Sequence, residues 1–565
     1  MMASNASAQP SKTMPMVEYP LPIGTDILPD GPHYPYIPET ATDIIQLGLT
    51  YNDMQSFGAS GDRIAFCDDG SVYCCWTNLS GWPYPPSNNG AWYALIDPSG
   101  NISNSGPIDS SGNTSYPKLD IMSDNRGAFA YGLSGEVDPP QIKVAYEWNP
   151  PGIGIFDYFV VPNELFPQTS DSSGICYWPN ITVDRNDNVH LVATEYADRR
   201  LMRLGYARSD NRGLSRTTFT LVDTVMVPGA ILDASPVSDR VVLAYAKTQD
   251  TTTQWYNDIV YYVSDDGETW DWRYGEVNIT NYGTDDDSLW AYTDLDVIID
   301  YNDYIHLIWT AQWVVPEGIY YRTQLFHYSE ETEEITEICH HPDSLWISIS
   351  GAWNRPICKM SLGLDGPYNG LTAAWTQFDT TDVSAGGYGN GDIYISFSYD
   401  GGSDWDSPLN ITESHTPGCF PGDCNSEHFV SLADSNDYYL HLTYIQDKDA
   451  GSVFMEEGAA TENPVIYEEY TWWAAGIDND VEIPENITLD QNYPNPFNAS
   501  TNISFSLKDN GPVRLEIFDI TGSLVATLID KHMPIGDYDI NWNAEDCASG
   551  TYIYKLTSGG NTSVQ

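Results

Sequence analysis

Three histidines, His190, His306 and His441, occupy one slot of a recurring strand pattern, and imidazoles in a shared register could in principle hold a metal. Spacing argues against it. Zinc holds nitrogen ligands at about 2.0–2.1 Å. Equivalent slots on separate repeats, each several strands wide at about 4.8 Å per strand, stand more than about 10 Å apart. The three are read as ladder histidines within the repeats. No CxxC pairs with a second CxxC, and no Ser/His/Asp elbow, phosphate-cradling loop or dinucleotide fingerprint occurs. No residue is assigned a catalytic role.

The larger chemical signal is aromatic. Trp82, Trp92, Trp255, Trp290, Trp313, Trp346, Trp353 and Tyr388 fall in long segments between strand patterns, at 81–93, 248–258, 281–294, 311–318, 340–356 and 378–392. Rings of this kind offer rigid contact area with a polar tip. Beside them lie acids such as Asp285, Asp286 and Asp287. That mixture suits a neutral sugar face stacked on a ring, with hydroxyls accepted by carboxylates or a bridging cation. It suits a flat protein contact equally well, and the rings could instead pack under their own loops. Asp285, Asp286 and Asp287 are the candidates for a weakly held structural Ca²⁺; no other cofactor is expected.

Of nine cysteines, Cys419 and Cys424 close a Pro/Gly loop, CFPGDC, and are one disulfide candidate. Cys339 and Cys358 bracket another loop and are the second. Cys74 and Cys75 are adjacent, with Cys67 across a turn, and connectivity stays open. Disulfides suit an oxidising compartment. The charge is lopsided: 80 acidic against 23 basic residues, formally −57. Such a field repels phosphate backbones and anionic membrane surfaces, which excludes nucleic acid as a partner. No run of 18 apolar residues is present.

The elements that must position these residues are strands. Aromatics make up 13% of the 565 residues, with 39 Tyr and 18 Trp, and short alternating runs are broken by Gly, Asp, Asn and Pro. One strand type recurs seven times, anchored at Tyr73, Phe129, His190, Val242, His306, Thr372 and His441. The spacings are 56, 61, 52, 64, 66 and 69 residues, each strand preceded by a tight Asp/Asn/Gly turn. Four strands per unit at about 50–70 residues is propeller spacing. The expected fold class is all-β, a seven-bladed β-propeller over 41–476, with 41–51 supplying an outer strand that closes the ring. Residues 1–40 read as an N-terminal arm, in which Ala6-Ser7-Ala8 looks like the end of a signal peptide. In such a ring the long segments share one face, which becomes the expected working surface.

Two turns, VSDDGETW (263–270) and SYDGGSDW (398–405), resemble the Asp-box, also called the BNR repeat, of sialidase-like propellers. Asp265, Gly267 and Trp270 match in the first, with Val263 at the Ser position. Ser398, Asp400, Gly402 and Trp405 match in the second. The resemblance implies a structural role: a carboxylate accepting N–H groups of its own turn, a glycine at positive φ, and a ring wedged beneath. It also raises a sialidase-like activity, which would need an arginine cluster. The nearest candidate is Arg355 in Asn354-Arg355-Pro356-Ile357, but Tyr116-Pro117-Lys118-Leu119 and Trp178-Pro179-Asn180-Ile181 repeat the slot as a blade-start feature.

After a linker at 477–487 the pattern changes. Asn492-Tyr493-Pro494-Asn495-Pro496-Phe497-Asn498 opens a run of short strands that continues through Phe518-Asp519-Ile520 to Gly522, then Trp542, then Ala548-Ser549-Gly550-Thr551-Tyr552. This region, 488–565, resembles the type A sorting domain of type IX secretion cargo, a small Ig-like β-sandwich. The resemblance implies export by the type IX machinery and a secreted or cell-surface location. The family runs on through a basic, apolar final strand, so Val564-Gln565 reads as a truncated or processed end.

The expected function is a secreted, non-catalytic propeller that recognises an extracellular glycan or protein, or assembles with its own copies. The alternatives are a sialidase-like glycoside hydrolase and a purely structural subunit of an extracellular assembly.

Overall fold

The computed structural model describes residues 43–56, 58, 61–81, 89–109, 113–134, 141–161, 175–196, 201–209, 219–282, 288–315, 318–341, 350–351, 353–365, 370–436, 439–470, 487–489, 492–498, 500–507, 511–519, 524–533, 536–544, 552–558 and 561–564. Among them, the only helical element is a single 3₁₀ turn at Val453–Met455.

Strand β1 is Asp43–Thr50. Strands β2–β5 (Ile64–Phe66, Val72–Leu79, Asn89–Ile96, Ile102–Pro107) form one antiparallel sheet in chain order. Strands β6–β9 (Asn113–Ile121, Gly127–Ser134, Gln141–Glu147, Phe156–Val160) form the next. Strands β10–β13 (Ile175–Val183, Val189–Tyr196, Met202–Ser209, Thr220–Val225) follow. Strands β14–β17 (Ala230–Ala234, Val241–Thr248, Asn257–Ser264, Val277–Asn278) and β18–β21 (Ser288–Ile299, Ile305–Val315, Gly318–Ser329, Glu334–His340) repeat the meander, touching through the single pair Asn257 and Ala291. Strands β22–β25 (Ile357–Asp365, Gly370–Val383, Gly389–Ser398, Leu409–Asn410) do so again. Then come β26 (Ser426–Leu432), the short β27 (Ser435–Asn436), β28 (Leu440–Asp447) and β29 (Asn463–Tyr470). This sheet has the order β26-β28-β29-β1, so its outer strand comes from the other end of the region.

The second strand of a sheet is buried on both faces; every residue of Val72–Leu79 is buried. That explains why these strands read as nearly continuous apolar runs. Each sheet shares a core with the next. Tyr73 and Tyr93 pack with Phe129 and Tyr131, Ala128 with Ile181 and Leu191, and Leu204 with Leu232 and Leu243. Val242 packs with Val297 and Trp309, Ile308 with Leu362 and Trp375, and Ile395 with Val430 and Leu442. The series then returns to its start, with Leu47, Val465 and Tyr467 packing on Val72, Cys74 and Trp76. The result is a propeller of radially packed sheets.

The turns between first and second strands recur in detail. The carboxylate of Asp184 accepts the N–H groups of Asn186 and Asn188, and that of Asp300 accepts those of Asn302 and Tyr304. The fourth residue of each turn, Asp187 or Asp303, has positive φ, which Asn and Asp tolerate.

Beyond this region, β30–β32 (Ile487–Leu489, Tyr493–Asn498, Ser500–Leu507) and β35 (Gly536–Asn543) form one sheet. Strands β33 (Gly511–Asp519), β34 (Leu524–Met533), β36 (Tyr552–Ser558) and β37 (Asn561–Val564) form another. Ile503, Phe505 and Trp542 from the first share a core with Leu515, Ile517 and Leu556 from the second.

Candidate functional site

The first strands of successive sheets are stitched together by hydrogen bonds at equivalent positions. Leu119 donates its N–H to the Asp62 carbonyl at 2.8 Å. Val183 donates to Asp120 Oδ2 at 2.6 Å, Leu232 to Asn180 Oδ1 at 3.0 Å, and Ile299 to Asp233 Oδ2 at 2.6 Å. Leu362 donates to Asp296 Oδ2 at 2.8 Å, Leu432 to Ser361 Oγ at 3.1 Å, and Arg63 to Ser431 Oγ at 3.2 Å. The last link reaches the sheet where the first began. Burial pushes Asp120 and Asp296 up to about 7. It pushes Asp233 and Asp434 well above the carboxylate range, and the Asp62, Asp120, Asp233 and Asp296 carboxyls push Asp434 further. Lys118 and Arg63 are the basic groups in this acidic axis. Lys118 donates to the Gly61 carbonyl and Arg63 to the Phe429 carbonyl.

The described residues between Asn52 and Asp62 form a plug at the end of this axis where first strands begin. Gln55 is fully buried, donating to the Thr77 carbonyl and accepting the Thr77 N–H at 2.7 Å. Farther along, a Cβ on Gly58 (φ 77°) would lie 2.7 Å from the Pro228 carbonyl, and one on Gly61 2.7 Å from Asp296 Oδ2. Only glycine permits so close an approach.

Beside the plug, at the same end, opens a narrow recess. The plug contributes Asp53 and Met54; the segment before β22 contributes Trp353 and Asn354. The strand starts add Lys359, His428 and Phe429, and the β28–β29 connection adds Asp447, Gly451 and Ser452. The Trp353 indole is 38% exposed, held outward by a backbone at φ 65°, unusual for a bulky residue. Asp53 Oδ2 accepts the Val453 N–H. Asp53 Oδ1 and the Ser452 hydroxyl face the same space. The Ser452 hydroxyl faces the Asp53 carboxyl and holds it down against burial, and both atoms are sealed from solvent. Burial pushes Asp53 up to about 7, and Glu457 adds to the rise. Burial raises Asp447 well above its ordinary value, helped by Asp53 and Asp449.

A second, smaller recess of about 270 Å³ at this end is lined by Ser56, Tyr116, Lys118, Trp178, Asn180 and Pro228. Its groups belong to the axial ring.

Of the aromatic residues expected at the long-loop face, Trp353 lines the recess, and the half-buried Tyr388 lies over Gly451 at its edge. Trp290 is corrected: at 1% exposure it stands in β18 with Tyr256 edge-on at 5.0 Å and Tyr282 at 5.7 Å, so it is core. Trp92 packs on Trp76 at 6.1 Å, Trp255 packs against a sheet core, and Trp313 is half-buried in β19. Trp82, Trp346 and the Ca²⁺ candidates Asp285, Asp286 and Asp287 lie outside the described residues. Among the described residues, no group of three or more His, Cys, Asp or Glu side chains could hold a metal ion. Arg355 is 7% exposed and lies over the Tyr292 ring at 4.1 Å, with Nε bonded to Gln312.

The histidines have local partners. His190 sits between Asp184 and the Tyr206 hydroxyl, His306 between Asp300 and His327, and His441 against the Tyr467 hydroxyl and the Phe66 ring. The two Gly–Trp turns require a shift of register in the first. There Asp266, not Asp265, accepts the Glu268 and Thr269 N–H groups, at 2.9 and 2.6 Å, and the Ser264 hydroxyl at 3.1 Å. Asp265 is exposed and lies 3.5 Å from Arg240. In the second, Asp400 accepts Ser403 and Asp404 N–H groups and the Ser398 hydroxyl. Ser-x-Asp is thus the common element. Gly267 and Gly402 have positive φ, and a Cβ on Gly402 would collide with His327 at 1.8 Å. Trp270 stacks on Trp272 at 4.7 Å, and Trp405 meets His327 at 5.3 Å.

Cys419 and Cys424 are bonded as a disulfide. Cys339 and Cys358 are corrected: both are buried free thiols, as are Cys67, Cys74 and Cys75. In the C-terminal region Asn492 is buried, donating its N–H to the Tyr554 hydroxyl and its amide to Thr501. Strand β31 holds Tyr493, Pro494, Asn495, Pro496, Phe497 and Asn498, with Asn495 exposed, and Tyr552 stands edge-on to Trp542. Gly522 and Gly550 lie outside the described residues.

Residues 491–565 match the family model described as a secretion system C-terminal sorting domain. This marks the chain as cargo of the type IX machinery, secreted or attached at the cell surface. No helix among the described residues is long and apolar enough to cross a membrane. No curated protein matches the chain. Among solved structures it is similar to an α-L-arabinanase of Penicillium chrysogenum complexed with arabinobiose, at 11% identity and a TM-score of 0.39, covering 63% of this chain and 92% of that one. It is similar to polysaccharide lyase Uly1 at 10% identity and 0.43, covering 76% and 98%. It is also similar to a fungal alcohol oxidase of the AA5 family in complex with copper, at 10% and 0.44, covering 93% and 98%.

Proposed function

We propose that this chain is an exported carbohydrate-binding protein, in which a seven-bladed β-propeller holds a saccharide in the Trp353 recess and an Ig-like sorting module directs export. The closed series of cores and the ring of strand-to-strand hydrogen bonds support seven blades. The Asp-box resemblance of the two Gly–Trp turns, once the first is read from Ser264 and Asp266, fits that fold. One observation carries the binding reading: an exposed indole, Trp353, stands at a recess lined by the polar side chains of Asp53, Asn354, Asp447 and Ser452. Aromatic stacking plus a few convergent polar groups is the usual make-up of a sugar site. Affinity electrophoresis of the exported chain through polysaccharide-containing gels tests it. Retardation that Trp353→Ala abolishes is expected. Retardation indifferent to that substitution, or migration as self-assembled copies with no polysaccharide effect, counts against it.

A hydrolytic reading rests on Asp53 and Asp447, two carboxyls that burial raises in one recess, since a raised carboxyl can act as a general acid. It predicts release of reducing ends that Asp53→Asn abolishes while binding persists. The binding reading predicts none.

A further inference from the structure

We infer that two copies of this chain pair face to face through the apolar rim formed by the β8–β9 connection and strand β9. The inference is independent of what the Trp353 recess binds. Residues 148–160 read WNPPGIGIFDYFV. Within them, Gly152-Ile153-Gly154-Ile155 has two unlike faces. The glycine face lies against the neighbouring sheet: a Cβ on Gly152 would come within 2.7 Å of Leu95 Cδ2, and one on Gly154 within 2.5 Å of the Tyr93 hydroxyl. Only glycine fits there, at φ 76° and 69°. The isoleucines are left pointing to solvent. Trp148, Ile153, Ile155 and Tyr158 are 49%, 40%, 47% and 50% exposed. Ile102, on the strand whose Asn104 amide holds the Gly152 carbonyl at 2.9 Å, is 39% exposed.

These side chains are held in place. The buried Glu147 carboxylate accepts the Gly152 N–H at 3.1 Å, the Gly154 N–H at 2.8 Å and the Tyr73 hydroxyl. The Trp148 N–H meets the Ile155 carbonyl at 2.8 Å and closes the connection at its base. Joining two strands needs only a short turn. Fixing large apolar side chains in water lowers the ordering cost of a later contact, and such patches mark interaction surfaces.

Charge selects the occupant. The chain carries −57, so two copies repel one another across most of their surfaces. Here they need not: of residues 148–160 only Asp157 is charged, one in thirteen, against 18% of the whole chain. Lys143, over the Tyr158 ring, is paired with Asp109 and adds no net charge. A cationic partner would be drawn to the acidic surface elsewhere, and an anionic membrane would be repelled by it. A two-fold axis asks for one patch alone, because the same side chains meet themselves. Five exposed side chains are few against the roughly 20–30 residues a side of a standard interface, so the pair is weak.

Sedimentation velocity of the full exported chain, from about 1 μM to about 100 μM at low and high salt, tests this. A monomer–dimer equilibrium is expected, tightened by salt because screening removes the like-charge repulsion. Trp148→Ser and Ile155→Ser should each weaken it by about tenfold. The thermal midpoint should stay unchanged, since both side chains already meet solvent. Ile102→Asn, on a different sheet, should weaken it independently of the Gly-Ile-Gly-Ile stretch. Tyr274→Ser, 75% exposed between β16 and β17, should behave as the unsubstituted chain. A chain monomeric at every concentration in both salts overturns the proposal, whatever else covers the rim. So does a dimer indifferent to all three rim substitutions, a dimer weakened by salt, or growth in mass beyond the dimer, which would mean an open head-to-tail contact.

Discussion

The axis and the recess lie at one end of the same ring of sheets, are built from the same residue types, and differ in one respect. In the axis, Asp120, Asp233, Asp296, Ser361 and Ser431 each receive an N–H from the neighbouring sheet. In the recess, Asp53 and Ser452 face each other, and an exposed indole, Trp353, stands beside them. Both sets are largely buried, and burial raises the carboxyls of both. Burial and raised protonation therefore do not mark a binding site in this molecule. What separates the recess from the axis is a ring open to solvent at its edge.

The sharpest way to break that distinction is pH. Asp120, Asp296 and Asp365 are pushed up to about 7 in the folded protein, against about 3.9 in an unfolded chain. The folded state thus holds more protons between those values, and stability is fully present below the lower one and lost as pH rises through the upper. Several carboxyls contribute together, so this is the largest effect expected. The thermal midpoint should be higher near about pH 5 than near about pH 8; a midpoint that rises with pH would show the axial carboxyls to be ionised in the fold.

Next comes Trp290→Ala, which empties a buried site beside Tyr256 and Tyr282 and should cost about 3–5 kcal/mol in denaturant unfolding. Trp353→Ala should cost far less, because its ring already meets solvent. Equal costs would place Trp353 in a loop core.

A matched pair of serines makes the finer test. Ser361→Ala orphans the Leu432 N–H between two sheets and should cost about 1–3 kcal/mol. Ser452→Ala removes a hydroxyl that faces the Asp53 carboxyl and orphans no backbone N–H, so it should cost less. Smallest of all on stability should be Asp53→Asn, a near-isosteric change that replaces a protonated carboxyl in the recess; its effect belongs in ligand titration.

Much of this fold is legible in the sequence because it repeats. Seven anchor strands announce themselves through burial on both faces, and the Asp/Asn/Gly turns before them through a carboxylate that bonds its own loop. The site is legible only in part. Trp353 and Tyr388 stand out as rings in long connections, but Trp290 looks the same there. The signal that separates it is the run Leu289-Trp290-Ala291-Tyr292, which continues the strand pattern into Ile299. The slip from Asp266 to Asp265 arose because the first Gly–Trp turn is one residue shorter than the second, and only Ser-x-Asp keeps its spacing in both. Asp53, Asp447 and Ser452 carry no motif. They are ordinary polar residues about 400 positions apart that meet because β1 joins the last sheet of the ring, which puts Asp53 beside Val453.

The most direct test of the central claim is a crystal structure of the exported chain soaked with a neutral oligosaccharide. The account predicts a sugar ring stacked on Trp353 at the mouth of this recess. A saccharide bound elsewhere, with this recess empty or filled only by water, would contradict it.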